Sequence, residues 1–534
     1  MLTTTRRATL RLLAACLIVS VAHADRLITN DGRVIEVKKA RKEGNIYRLV
    51  FEHGEILCPD SDRIASIEME GDMSDYKPQD ENEQDKLDKG FVRYRGKWMS
   101  LSRYETEKKK EFAKAQERTA FLAEHSDWYN CWTKESKHFL VKTNSSPELL
   151  EYYTALLEAY YKLMDKRVGI KPTLSYRRKK MTVNIYKSRE EFQKLSAAGV
   201  GPSTLGYFWS ADDTLNFFHN YDEPAQSDWV ALHECTHLLT FLIDQQYQPQ
   251  IWLNEAVADY FGSAKITTGG RGKIEIEPGQ LQTDRVLTVQ KAIEDGKDTK
   301  LTELFFINRE SFDGFQYAHA WSFVYFLNEF DGGKYQKGFQ KFFKALYTVK
   351  KGIPYESISA PGPTGRGKRV SPEDIRDLLL KAIKMKDVEL LEKQWKEFVK
   401  NVPIEGLSAR LKRGLRSVMM GDFEDAILDL DQAIELGAKD PRAWASRGVA
   451  KAFTGSTKSG VKDLLIAVEK DPLNASFRNK LSGMLVGRIS TGSARNSSSN
   501  GKLHTDEEAK RQAGLAMELD PENESYKSWY QRFE

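Results

Sequence analysis

A chain of 534 residues exceeds what one hydrophobic core supports and points to roughly three or four folding units. Its 40% hydrophobic, 11% aromatic and 30% charged residues exclude fibrous, collagenous and wholly disordered classes. Without Arg6, Arg7 and Arg11 the 81 basic residues fall to 78 against 77 acidic ones, a near-neutral balance that gives no footing for nucleic-acid binding.

Those three arginines precede the apolar residues 12–21 and the small-residue site Ala22-His23-Ala24, the order of an export signal removed from the mature chain. Thr5-Arg6-Arg7 with Leu10-Arg11 loosely fits a twin-arginine variant. Leu13-Ala14-Ala15-Cys16 resembles a lipoprotein cleavage box, but cutting there would leave a greasy stub. The expected location is periplasmic or extracellular. No other apolar stretch reaches the roughly 18 to 20 residues of a bilayer span. Beyond the signal, Cys58, Cys131 and Cys235 are too few for a disulfide scaffold; one Cys58–Cys131 bridge or three separate buried thiols remain open.

Residues 25–70 alternate β-type runs (33–37, 46–51, 64–67) with turn signals at Asn30-Asp31-Gly32, His53-Gly54 and Pro59-Asp60, the rhythm of a small β-barrel. Residues 71–136 read as an acidic linker to about 89, a hairpin at 91–99 around Arg95-Gly96, and a charged helix at 104–123. From 137 to 405 strands come first (138–142, 181–186, 206–209, 215–219) and helices follow, beginning at Ser227, Ile251, Phe315 and Lys334, an α+β layout. A helix at 147–168 lies among the strands. A Pro/Gly-rich break at 361–366 precedes the last helices of this unit.

Residues 406–534 repeat. Trp444, Gly448, Gly455, Ala467 and Pro472 fall at the offsets of a helix-turn-helix repeat of about 34 residues, and Gly414, Gly421, Phe423, Ala426 and Ala433 form the preceding copy. A third copy supplies Ala509, Ala516 and Pro521 after a polar insertion at 490–502, and a terminal helix follows at 526–533. The pattern resembles tetratricopeptide repeats, which implies an all-α solenoid whose concave face binds a protein or peptide, or which braces the rest of the chain.

The segment Trp229-Val230-Ala231-Leu232-His233-Glu234-Cys235-Thr236-His237 carries H-E-x-x-H inside an apolar helix opened by Ser227 or Asp228. At 3.6 residues per turn both imidazoles project from one face, within reach of one cation, and Glu234 stands where a general base would meet activated water. A second helix, Asn254-Glu255-Ala256-Val257-Ala258-Asp259, offers a third ligand in Glu255. Asp259, one turn on, can accept a hydrogen bond from a ligand histidine and fix its tautomer. Three protein ligands and one open position are what catalytic zinc requires.

Together these residues resemble the gluzincin metallopeptidases, the thermolysin-like and zinc-aminopeptidase-like group. The resemblance covers roughly residues 137–348 and implies a zincin-type α+β catalytic domain that hydrolyses peptide bonds. In it His233, His237 and Glu255 bind one Zn2+, Glu234 activates water, and Asp259 orients a histidine. The helix around Tyr317-Ala318-His319-Ala320-Trp321 is similar to one whose leading tyrosine bonds the oxyanion, which makes Tyr317 that candidate; an aromatic residue capping a buried helix is the other reading. His319 is a second donor candidate or a satisfied core histidine.

The aminopeptidase signature Gly-x-Met-Glu-Asn, which holds a free substrate N-terminus, is missing, and the gap to the third ligand is slightly shorter than in thermolysin. Residues 214–219 read as a sheet-edge strand able to bind an extended peptide. Cys235 reads as a small packed side chain. Rival readings are an inactive zincin-fold scaffold that binds proteins through its barrel and repeats, and zinc hydrolysis of a non-peptide amide.

Overall fold

The computed structural model describes residues 25–534 except 30–31, 44, 60–63, 69–77, 95–96, 171–178, 197–199, 202–203, 222, 271–272, 348–352, 360–365 and 489–505. The export-signal segment, the turn tips Asn30-Asp31 and Arg95-Gly96, nearly all of the Pro/Gly break and the polar insertion lie outside the described residues.

Six short strands open the fold: β1 (Asp25–Thr29), β2 (Val34–Val37), β3 (Lys39–Glu43), β4 (Ile46–Val50), β5 (Glu55–Pro59) and β6 (Ile64–Glu68). Period-two alternation aims Ile56 and Cys58 inward and Glu55 and Leu57 outward, giving each sheet one apolar face. The expected barrel does not close. The described strands form two antiparallel three-stranded sheets, β2-β1-β6 and β3-β4-β5. Their apolar faces share a core with Leu473, Ala475, Leu515, Ala516 and Leu519 near the other end of the chain, so cover comes from helices and not from closure.

Polar contacts fasten the same junction. Glu518 accepts from the backbone N–H groups of Glu52 (2.7 Å) and His53 (3.2 Å), and His53 reaches Glu518 Oε2 through Nδ1 and the Tyr530 hydroxyl through Nε2, both at 2.8 Å. Gly514 permits this approach, because a Cβ there would stand 2.2 Å from His53 Cγ.

Part of the expected linker is helical: α1 (Glu81–Asp88) is capped by Asp80 and carries Glu81 and Glu83 in its first turn. The hairpin β7 (Phe91–Tyr94) and β8 (Lys97–Ser100) leads into α2 (Leu101–Glu124), capped by Ser100.

The central unit is mixed α/β. Strands β9 (Trp132–Glu135), β10 (Phe139–Thr143), β11 (Met181–Tyr186), β12 (Gly206–Trp209) and β13 (Thr214–Phe218) form one sheet in the order β12-β13-β11-β10-β9. β10, β11 and β13 run parallel, so each needs a crossover, and α3 (Pro147–Val168) and α4 (Arg189–Leu195) lie in those connections. β12 returns antiparallel to β13 through a turn holding Asp213 at φ 59°. β12 is therefore one edge and β9 the other. The expectation that residues 214–219 form an edge is corrected, since β13 is paired on both sides.

Helices α5 (Pro224–Ile243) and α6 (Ile251–Gly262) follow, then the hairpin β14 (Ala264–Thr268) and β15 (Ile274–Pro278), then α7 (Thr283–Glu294), α8 (Leu301–Leu304), α9 (Gly314–Glu329) and α10 (Gln336–Tyr347). A hairpin of β16 (Tyr355–Ser359) and β17 (Arg366–Val370) precedes α11 (Pro372–Ile383) and α12 (Val388–Asn401). Trp252, Phe305, Phe323 and Trp395 pack ring to ring at the centre of this unit.

The rest is helical: α13 (Leu407–Met420), α14 (Phe423–Glu435), α15 (Arg442–Phe453), α16 (Thr457–Lys470), α17 (Ala475–Leu485), α18 (Glu507–Leu519) and α19 (Glu524–Tyr530). Successive helices pack as antiparallel pairs where small residues let backbones meet: a Cβ on Gly448 would lie 2.6 Å from the Gly460 carbonyl oxygen. One buried ion pair recurs at the repeat spacing, Arg413 to Asp429 (2.9 Å) and Arg447 to Asp463 (2.8 Å). Cys58, Cys131 and Cys235 are free thiols. No described helix is long and apolar enough to cross a membrane.

Two outcomes follow from this packing. Leu515→Ala should cost about 2–5 kcal/mol by opening a cavity in the shared core, and thermal unfolding with limited proteolysis should show the N-terminal strands losing protection; unchanged protection would mean that they fold without the C-terminal helices. Asp228, in the first turns of α5, accepts from the Tyr152 hydroxyl at 2.8 Å, and burial, only partly offset by that bond, pushes its carboxyl up to about 6 from 3.8. Because the folded value exceeds the unfolded one, stability is lost as pH rises from about 3.8 through about 6. Asp228→Asn should thus raise stability by about 2–3 kcal/mol at pH 7 and by little at pH 4; melting curves at the two pH values check the sign.

Candidate metal centre

The site is built on two apolar helices, α5 and α6, that pack against each other in the core. α5 starts at Pro224, a turn before Ser227, because proline suits the first helical position while the Ser227 hydroxyl is engaged by the Asn220 N–H at 2.8 Å. Val230, Ala231, Leu232, Cys235, Leu238 and Leu239 hold the helix in the core. Two glycines set how closely neighbours approach. A Cβ on Gly262 of α6 would come within 3.3 Å of the backbone nitrogen and Cβ of His233, and one on Gly206 of β12 would stand 2.4 Å from Val230 Cγ1.

At that crossing three donor atoms converge. His233 Nε2 and His237 Nε2 are 3.2 Å apart, and Glu255 Oε2 lies 3.6 Å from the first and 3.7 Å from the second. A point equidistant from all three is about 2.0 Å from each, which is the length of a zinc bond to imidazole nitrogen or carboxylate oxygen. The three side chains could hold one such ion.

Around them sits a layer that fixes orientation. His233 Nδ1 is 3.1 Å from Asp259 Oδ1, and Asp259 Oδ2 is gripped by Arg285 at 2.6 Å. Arg285 is held in turn by Gln282 at 2.8 Å and lies 5.6 Å over the Tyr317 ring. The Phe208 N–H of edge strand β12 donates to Glu234 Oε2 at 2.9 Å, which ties the carboxylate to the sheet rim. Trp229 packs its ring 5.2 Å from that of His233.

Electrostatics follow from burial with close partners. Burial pulls the His233 imidazole down, but the facing Asp259 and Glu255 carboxylates outweigh it and raise it to about 10. Burial likewise pushes Glu255 up, and the two imidazoles prevail and hold it well below the usual carboxylate range. For Tyr317, burial and then the neighbouring Glu255 carboxylate both push the phenol up, so it stays protonated at neutral pH. The arrangement strongly favours a shared positive charge among the donors.

The structure thus brings His233, Glu234, His237, Glu255, Asp259 and Tyr317 to one place. His319 is elsewhere: it is fully buried, its Nδ1 meets the Phe315 carbonyl at 2.9 Å, and its ring faces Trp395. Cys235 is fully buried and its thiol is pushed up by burial, as a packed side chain should be. Sequence reasoning missed Arg285, Arg309, Trp229 and the Phe208 amide. Only Trp229 carried a signal, lying one turn before His233; the others reach the site through tertiary contacts.

Residues 230–352, from α5 to just past α10, match a family described as a protein of unknown function (DUF1570), and this stretch contains the three donors, Glu234, Asp259 and Tyr317. No curated protein matches the chain.

Proposed function

We propose that this chain is an exported zinc-dependent metallopeptidase of the gluzincin type, with one Zn2+ held by His233, His237 and Glu255. The carrying observation is the convergence of three donor atoms 3.2 to 3.7 Å apart from two separate helices, those of His233 and Glu255 buried and that of His237 half-buried. The Arg-apolar-small order of residues 1–24 supports export, and the zincin-type fold rests on the same residues as the metal set.

Bound there, zinc supplies Lewis-acid polarisation of a scissile carbonyl and of water. Glu234 takes a proton from the attacking water and hands it to the leaving amine. The Phe208 N–H fixes one of its oxygens and leaves the other for that transfer. Tyr317, kept protonated by its raised pKa, donates to the oxyanion. Asp259 holds the His233 ring through Nδ1, which leaves Nε2 as the ligand atom, and Arg285 holds Asp259. The outer side of β12, which no other described strand covers, offers an extended peptide a strand to lie against beside the Phe208 N–H that Glu234 takes. A scaffold would need no carboxylate held at Glu234. The C-terminal helix pairs are proposed as tetratricopeptide repeats that brace the N-terminal sheets and leave a face for a protein partner.

Two measurements test this reading. Purified protein should contain about one zinc per chain and cleave unfolded protein or peptides, with chelator abolishing turnover; Glu234→Gln should keep the metal and lose at least about a hundredfold in kcat, and equal activity would rule the mechanism out. Asp259→Asn should weaken zinc about 10- to 100-fold in competition with a chromogenic chelator, whereas unaltered affinity would deny Asp259 its orienting role.

A further inference from the structure

We infer that Arg309 is an anchor for a substrate carboxylate beside the metal centre, and that the carboxylate is the free C-terminus of a short peptide. This rests on the metallopeptidase reading above and specifies its substrate class. Arg309 begins the short turn between α8 and α9, which Asn308 caps by accepting the Ser311 N–H at 3.0 Å. Its side chain is 77% exposed, while that of Glu255, whose Oε1 it approaches at 3.5 Å, is 7% exposed. The guanidinium therefore stands at the mouth of the site.

Contact at 3.5 Å is at the outer limit of a hydrogen bond and occupies one of five donors. Arg285, the other arginine nearby, is half-buried and spent on Asp259 and Gln282. Arg309 alone of the two has its fork available for a planar, bidentate partner such as a carboxylate.

Charge points the same way. With both imidazoles neutral, as metal ligation requires, Glu234, Glu255 and Asp259 against Arg285 and Arg309 carry one net negative formal charge, and a divalent ion makes the sum one positive. The loaded cleft then attracts an anion, and the exposed pole of that charge is Arg309. Reach is suitable as well: residues of an extended peptide repeat about every 3.8 Å at most, so a carboxylate one or two residues beyond a carbonyl at the donors arrives at the guanidinium. An acidic side chain near the scissile bond presents the same chemistry, and the test separates the two sources.

The experiment measures equilibrium binding by calorimetry to zinc-loaded Glu234→Gln protein, which binds without turnover. Three probes are used: an N-acetylated Phe-Ala-Ala peptide as free acid, its C-terminal amide, and the amide with Glu as the last residue. The free acid should bind at least about tenfold more tightly than either amide. Adding Arg309→Ala should collapse that preference to about twofold or less, and Arg309→Lys should keep part of it; the Arg309 side chain is exposed, so folding should be unaffected. Equal binding of acid and amide overturns the anchor while leaving the metallopeptidase reading intact. Tight binding of the Glu amide alone overturns the terminal assignment in favour of a side-chain carboxylate. Protein that takes up no zinc overturns both.

Discussion

Two imidazoles and a carboxylate buried at one helix crossing form the constraint on which the centre of this protein depends. Removing such groups from water is costly unless a charge is shared among them. With separations of 3.2 to 3.7 Å there is no space for water between the donors, and only a proton or a metal ion fits the gap. Every neighbouring feature serves that crossing. Gly262 lets α6 approach the backbone of His233, Gly206 lets the sheet edge lie on α5, and the aromatic core around Trp252 keeps α6 in place.

A second layer converts convergence into orientation. The chain of contacts from His233 through Asp259 to Arg285 and Gln282 runs from α5 to α7, its first two links ion pairs and its last a hydrogen bond. The contact between the Phe208 amide and Glu234 joins the sheet rim to the helix in the same manner. These links hold the Glu234 carboxylate, the three candidate metal donors and the Tyr317 phenol near one another, with Trp229 beside His233 and Phe312 beside Tyr317.

The ends of the described chain meet far from that site. The N-terminal sheets cover an apolar face on the last helices, and the last helices supply the cover that the sheets lack. Neither surface would be stable in water alone, since three short strands with one greasy face rarely stand independently. Lys412 and Arg416 of α13 also contact Leu281 and Asp284 beside the central unit. The C-terminal helices thus pack against both the N-terminal strands and the central unit, and changes in them should be felt in the strands.

Local pattern alone was enough to read the helix pair that carries the donors and the repeat spacing of the C-terminal helices; it put strands before helices in the central unit and missed the hairpins β14-β15 and β16-β17 that interrupt those helices. Helical periodicity puts His233 and His237 on one face, and small residues at fixed intervals announce paired helices; neither depends on distant residues. Barrel closure, the identity of the edge strand and the positions of Arg285, Arg309 and Phe208 were decided by tertiary structure. Six alternating strands have the same local pattern whether they close on themselves or are capped by helices, and strand order is set by crossovers, not by composition. An arginine likewise carries no local mark of which distant carboxylate it will meet. Periodicity is a property of neighbours in sequence, whereas closure, register and ion pairing are properties of neighbours in space.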